Sequence, residues 1–328
     1  MTENAKHVLV FGATGTAGQG AVRGLLRAGH DVTCHVRSPD ARLPAGAAMS
    51  VGGLEPADLA NVMTPGRFGR FDAVVSCLAS RSGSPTDAWA IDHHAHLRIM
   101  AQAKAAGVGT FVLLSAICVQ KPKLEFQRAK LAFEHALITS GLNYAIVRPT
   151  AFFKSLSGQV ERLRAGKPFL VFGDGALTAC KPISDDDLGD YLARCVTDPT
   201  LQNRVLPIGG PGPALTPLEQ GAQLFDALGI ESRFKRMPVA LMDVIIWVLA
   251  TVGRVAPSLS DKAEFARTGR YYASESMLVW DAKAERYDAD ATPETGSDTL
   301  VDHYRQLAAT GARVDLGQHA VFQEKSAR

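Results

Sequence analysis

Little in this sequence could hold a metal ion or cross a membrane. The five cysteines, Cys34, Cys77, Cys118, Cys180 and Cys195, are scattered and form no C-x-x-C pair. That speaks against an iron–sulfur or zinc site and for free thiols in a reducing compartment. Apolar runs are short: ALM at 240–242 meets Asp243 before VIIWVLA at 244–250, too little to span a bilayer. Excess charge of one sign is missing as well. Lys plus Arg number 35 against 33 for Asp plus Glu, a formal +2, and no basic block offers a track for nucleic acid. No internal repeat or low-complexity segment occurs. MTENAKHVLVFGATG enters a strand pattern almost at once, so no signal peptide is expected and a cytoplasmic small-molecule protein is.

What is present is an alternation. The 328 residues suit one large α/β domain with a smaller lobe. Short β-branched runs predict strands at 7–11, 31–36, 48–51, 72–77, 110–115 and 143–147, with helices at 17–28, 54–63, 86–106 and 124–139 between them. This is the pattern of a doubly wound parallel sheet of Rossmann type. After Arg148-Pro149 the alternation loosens. Strands are expected at 169–172 and 205–208, and helices at 186–196, 217–228 and 239–252, the last apolar enough to wall a pocket, fill a core or touch a membrane. The acidic 287–298 reads as exposed loop. The expected division is a nucleotide-binding domain over 1–150 and a mixed substrate lobe over 151–328, some of whose segments return to the main sheet.

VLVFGATGTAGQGAVRGLL sets Gly12, Gly15 and Gly18 between a strand and a helix. Glycines there permit a tight turn and a close backbone approach to a pyrophosphate, which sits on the positive helix end. Gly12, Ala13, Thr14, Gly15, Thr16, Ala17 and Gly18 are therefore the expected cofactor loop. At the end of the second strand, where an NAD site offers an acid to the ribose, the chain has Arg37 and Ser38. Those side chains suit a 2′-phosphate, and the expected cofactor is NADPH. Cys77, Leu78 and Ala79 follow the fourth strand and should line it too.

The G-x-x-G-x-x-G spacing resembles the short-chain dehydrogenase/reductase superfamily, in its extended and atypical branches. In that superfamily a serine and a Tyr-x-x-x-Lys pair transfer the proton of a carbonyl or alcohol, and the lysine also holds the nicotinamide ribose. Ser115 and Lys130 match the serine and the lysine, but Phe126 stands where the tyrosine belongs. Phenylalanine donates no proton, so tyrosine-type carbonyl reduction is disfavoured. Three readings stay open on this ground. The chain binds NADP without chemistry, as NmrA-like regulators do; it reduces a conjugated C=C bond, as isoflavone reductase-like enzymes do; or Phe126 packs and another acid serves.

Longer strings narrow the choice. LLSAICVQKPKLEFQRAKLAFE, IVRPTAFFKSLSGQVERLRAGKPFLVFGDG, LTACKPISDDDL, LPIGGPGPALTPLEQG, RYYASESMLVWD and YDADATPETGSDTL resemble the NADPH-dependent 8-vinyl reductases of (bacterio)chlorophyll biosynthesis, over nearly the whole chain. That resemblance implies conversion of the 8-vinyl group of 3,8-divinyl (proto)chlorophyllide a, a magnesium chlorin or porphyrin, to ethyl. Hydride added at the terminal vinyl carbon leaves charge delocalised into the macrocycle, so a proton is needed on carbon and none on oxygen. It implies Lys130 as ribose holder and proton relay, with Ser115, Cys118 or a water as other proton sources. Pro149 and Thr150 should meet the nicotinamide amide, and Phe126, Phe152 and Phe153 should face the macrocycle. Lys154, Lys181 or Arg162 are candidates for its propionate. No metal site is expected: His93, His94 and His96 do not share one helix face. Contact with the photosynthetic membrane at its surface is a further expectation, and a catalytically silent NADP-binding sensor or scaffold is the competing class.

Overall fold

The computed structural model describes residues 5–66, 68–81, 83–253 and 257–314. Strand β1 (His7–Phe11) leads into helix α1 (Thr16–Arg27), and β2 (Asp31–Val36), β3 (Ala48–Val51), α2 (Pro56–Met63) and β4 (Ala73–Ser76) follow. The helix expected over 86–106 is broken into three parts: α3 (Pro85–Ala88), a π-helical segment (Trp89–Ala95) and α4 (His96–Ala105). Then come β5 (Thr110–Leu114), α5 (Glu125–Ile138) and β6 (Asn143–Pro149). The chain next forms α6 (Phe153–Leu156), α7 (Val160–Arg164) and β7 (Phe169–Phe172), and returns through α8 (Asp185–Thr197) to β8 (Arg204–Ile208). It ends with α9 (Pro217–Leu228), β9 (Phe234–Met237), α10 (Val239–Gly253), α11 (Pro257–Tyr272), β10 (Val279–Asp281), β11 (Arg286–Asp288) and α12 (Leu300–Thr310).

Seven parallel strands form one sheet in the order β3-β2-β1-β4-β5-β6-β8. Strands covered on both faces read as continuous apolar runs, and AVVS of β4 and TFVLL of β5 are buried throughout. On one face Leu9, Phe11, Val74, Phe111 and Ile146 meet Leu59 of α2, Ile99 of α4 and Phe133 and Leu137 of α5. Together with α8 these elements make one compact unit: residues up to Ser80, Pro85–Pro149 and Asp185–Ile208.

On this unit α1 and α8 cross so closely that glycine is the only residue that fits. A Cβ on Gly20 would lie 2.1 Å from the Asp185 carbonyl oxygen, and one on Gly24 would lie 2.2 Å from the Gly189 carbonyl carbon. Around that seam Arg23 reaches Asp186 at 2.8 Å and Arg27 reaches Asp190 at 2.7 Å.

The second compact unit holds Thr150–Ser184 and the residues from Gly209 on. Its core joins Phe153, Val160, Leu163, Phe169, Val171, Leu224, Phe225, Leu300 and Tyr304. Helix α9 starts with a reciprocal cap, Thr216 and Glu219 each bonding the other's backbone N–H, and Pro217 takes the first helical position. The acidic segment expected as exposed loop is partly built in. Thr292 is buried, its hydroxyl accepts the Val279 N–H at 2.9 Å, and Glu294 pairs with buried Lys181. An interior lysine needs an anionic partner, and this segment supplies it.

The α1–α8 seam gives a direct stability test. A methyl on Gly189 would sit 2.1 Å from the Gly20 carbonyl oxygen. Gly189→Ala is expected to cost about 1–3 kcal/mol in urea unfolding through overpacking.

Candidate active site

Because the strands are parallel, β1, β2, β4, β5 and β6 all end on one edge of the sheet, where such folds bind nucleotides. At the end of β1, Gly12 has φ +77 and its missing Cβ would lie 2.6 Å from the Cys77 carbonyl carbon. A Cβ on Gly18 would come within 2.0 Å of the Gly12 oxygen. The turn therefore closes only with glycine at both positions. Ala13 is buried, Thr14 and Gly15 are exposed, and Thr16 and Ala17 open α1 half-buried. No side chain caps the α1 N-terminus, and a helix N-terminus favours an anion. This cradle fits a dinucleotide pyrophosphate.

Arg37 and Ser38 are exposed just past β2, where Ser38 Oγ accepts the Asp40 N–H at 3.2 Å. Arg37 takes no ion-pair partner among the described residues, so its guanidinium remains available to a phosphate. Past β4, the Cys77 N–H donates to the Phe11 carbonyl at 2.9 Å, and burial pushes the Cys77 thiol up to about 12. Cys77 is thus a wall and not a thiolate nucleophile. Leu78 is half-buried and Ala79 exposed beside it.

Lys130 is not a solvated helix lysine. Its side chain is 11% exposed and its Nζ donates to Asp92 Oδ1 at 2.9 Å, the Asp92 side chain being fully buried. The Ser80 N–H donates to the same oxygen at 3.3 Å, while Asp92 Oδ2 is buried without a hydrogen-bond partner in the structure. Asp92 lies in the π-helical segment, a widening of the helix common at functional sites. With one donor on Asp92, the Lys130 ammonium keeps two N–H groups for other oxygens. Four residues on from Asp92, His96 bonds Ser76 Oγ at 2.9 Å and the Ile91 carbonyl at 2.9 Å. Its ring is spoken for by the protein.

Phe126, Lys130 and Glu134 recur at every fourth position of α5 and share a helix face. Phe126 is half-buried. Ser115 follows β5, and its hydroxyl donates to buried Glu134 at 2.5 Å. Glu134 is also paired with Arg148, whose Nε lies 3.2 Å away. The Ser115 proton is therefore committed, and its oxygen retains only acceptor capacity. Cys118 is buried on the following turn.

Pro149 is buried at the end of β6, and the hydroxyl of buried Thr150 donates to the Lys181 carbonyl. In the second unit Phe152 is half-buried and bridges Ile183. Phe153 departs from the expectation that it faces a macrocycle: it is 6% exposed, with its ring 5.4 Å from His303 inside that unit's core. Lys181, a candidate for a propionate, is likewise taken by Glu294 and the Thr292 carbonyl. Arg162 Nε donates to the Pro168 carbonyl at 2.8 Å.

Residues 12–199 match the family described as NAD(P)H-binding. The chain is 48% identical over 96% of its length to the chloroplast divinyl chlorophyllide a 8-vinyl-reductase of Oryza sativa, covering 82% of that protein. It is 44% identical to the Arabidopsis thaliana protein of the same name, over 95% of this chain and 79% of that one. The chain belongs to the divinyl chlorophyllide 8-vinyl-reductase family. More distantly, this family member is 27% identical to the photosystem II assembly factor Ycf39 of Synechocystis, over 62% of each chain. Among solved structures, the NADPH-dependent quinone oxidoreductase of Escherichia coli complexed with NADPH has TM-score 0.63 and 19% identity, over 92% of this chain and 99% of that one. That likeness concerns the fold.

Asp92 and Glu134 were not legible in the sequence as neighbours of Lys130 and Ser115. The spacing of Lys130 and Glu134 by four on one helix was a usable signal; the approach of Asp92 across the structure was not.

Two outcomes test this reading. Arg37→Ala is expected to weaken NADPH binding by about tenfold, the worth of a charged hydrogen bond at an open site, and to leave NADH binding unchanged by fluorescence titration. The second is a pH effect. Burial, with the Lys130 charge second, lowers His96 from 6.5 to about 4, so the folded protein keeps it neutral while the unfolded chain protonates it. The stability this contributes is complete above about pH 6.5 and is lost as pH falls towards 4, by roughly 3 kcal/mol. Urea midpoints across that range should fall less steeply in His96→Gln.

Proposed function

We propose that this chain is an NADPH-dependent oxidoreductase that converts the 8-vinyl group of 3,8-divinyl (proto)chlorophyllide a to ethyl in (bacterio)chlorophyll biosynthesis. The observation that carries the reading is near full-length likeness to the chloroplast 8-vinyl-reductases, joined to a buried Lys130 with Phe126 one turn before it. The first unit takes the dinucleotide. The protein works in the cytoplasm, against the face of the photosynthetic membrane.

Bound NADPH supplies the hydride. The glycine loop from Gly12 to Gly18 and the α1 N-terminus would hold its pyrophosphate, Arg37 and Ser38 its 2′-phosphate, and Cys77, Leu78 and Ala79 would line its nucleoside. Pro149 and Thr150 offer backbone groups to the nicotinamide amide. Asp92 holds Lys130 Nζ in place, so that its two remaining N–H groups would bind the ribose and relay a proton towards the inner vinyl carbon. Ser115, whose hydroxyl donates to Glu134, orders the end of β5 and offers its oxygen as an acceptor. Phe126 and Phe152 present aromatic faces to an aromatic ring. Nothing in this scheme must protonate an oxygen, and so nothing requires a tyrosine at position 126.

The direct test is incubation with NADPH and divinyl chlorophyllide, with NADPH oxidation and a blue shift of the Soret band expected. Binding of NADPH with neither change would leave the sensor or scaffold reading in its place. Lys130→Met is expected to lower turnover by about 10²–10⁴-fold, the usual weight of a proton-transferring group. Asp92→Asn should lower kcat by about tenfold or more while the fold, read by circular dichroism, persists. Near-normal turnover in Lys130→Met would remove the proposed role.

A further inference from the structure

Helix α10 carries an apolar stripe that the rest of the described chain leaves uncovered. Leu241, Val244, Ile245 and Val248 stand at i, i+3, i+4 and i+7, on one helix face. They are 42%, 58%, 45% and 45% exposed, and Trp247 at the edge of the stripe is 69% exposed. The apolar positions of α9 and α12 behave in the opposite way, Leu224, Phe225, Leu300 and Tyr304 all being buried. Single exposed apolar residues are ordinary, but a contiguous stripe marks an interaction surface.

The charges beside the stripe indicate what covers it. Arg233, Lys235 and Arg236 are exposed within six residues of the start of α10, and Lys235 and Arg236 take no ion-pair partner among the described residues. The helix's one acid, Asp243, is paired with Arg270 at 2.9 Å. An apolar face with a tryptophan at its border and unopposed cations next to it suits a bilayer surface with anionic headgroups. At 15 residues the helix is about 22 Å long, short of the roughly 30 Å hydrocarbon core. No helix among the described residues is long and apolar enough to cross a membrane. Such a helix lies in the interface and does not span it.

We infer that the α10 stripe, with Arg233, Lys235 and Arg236, is a docking surface for an anionic lipid bilayer. The test uses the full chain and two vesicle types, phosphatidylcholine alone and an equal mixture with phosphatidylglycerol, in flotation at low salt. Wild type should float with the mixed vesicles and much less with the neutral ones. The emission of Trp247, isolated by comparison with Trp247→Phe, should shift to the blue on binding. Val244→Asp/Val248→Asp should reduce flotation by about tenfold or more, since both charges would enter the apolar layer. Lys235→Glu/Arg236→Glu should weaken binding to mixed vesicles by about fivefold per cation and leave neutral vesicles unaffected. Both variants should bind NADPH as wild type does.

Failure of wild type to float with either vesicle would overturn the inference, as would undiminished flotation of the double Asp variant. A double Asp variant that turns a dimer into a monomer with flotation unchanged would assign the stripe to a second copy. One that raises KM for the chlorin with flotation unchanged would assign it to the substrate. The flotation readout needs no turnover, so it stands or falls apart from the vinyl-reductase reading.

Discussion

A parallel strand cannot return directly to its neighbour; the chain must cross over, and here it does so through helices packed on the sheet. Everything at the candidate site follows from that constraint. Each of β1, β2, β4, β5 and β6 releases its loop on the same edge, so the glycine turn, Arg37, Cys77, Ser115 and Pro149 emerge together although they span more than a hundred residues. The crossovers must also lie close to the sheet and to one another. Glycine meets that demand twice, at Gly12 and Gly18 in the turn and at Gly20, Gly24 and Gly189 where α1 meets α8.

Within this frame, buried charge organises the reactive region. Removing a carboxylate from water is costly unless a partner compensates it. Asp92 is compensated by Lys130, and Glu134 by Arg148 and the Ser115 hydroxyl. Both arrangements converge on α5, whose Phe126, Lys130 and Glu134 share one face. Under the proposed function, the phenylalanine at position 126 fits a reaction whose proton goes to carbon, with Lys130 held by Asp92 beside it.

The second unit shows the limits of reading residues by type. Phe152 and Phe153 look equivalent as aromatic candidates, yet Phe153 belongs to a core with Phe169, Phe225 and Tyr304. Lys181 looks like a free cation for a propionate but is interior, matched to Glu294. The acidic segment that supplies Glu294 looks like loop because its charges are meant for partners far away in sequence. Helix α10 raised the converse question. Its composition alone fits a core, a pocket wall or a surface, and only its exposure separates them.

The sequence by itself determined the strand–turn–helix of the nucleotide loop, most element boundaries of the first unit and the absence of a hydroxyl at position 126. These depend on local spacing: apolar period, glycine placement and the four-residue repeat of a helix face. It also carried the family, because long strings survive as strings. Tertiary structure decided the rest. The π-helical break over Trp89–Ala95, the ion pair across 38 residues from Asp92 to Lys130, the tie of Ser115 to Glu134 and the bare face of α10 all depend on which distant surface each side chain meets. Burial and charge pairing are properties of that meeting, and no window of local sequence contains both partners.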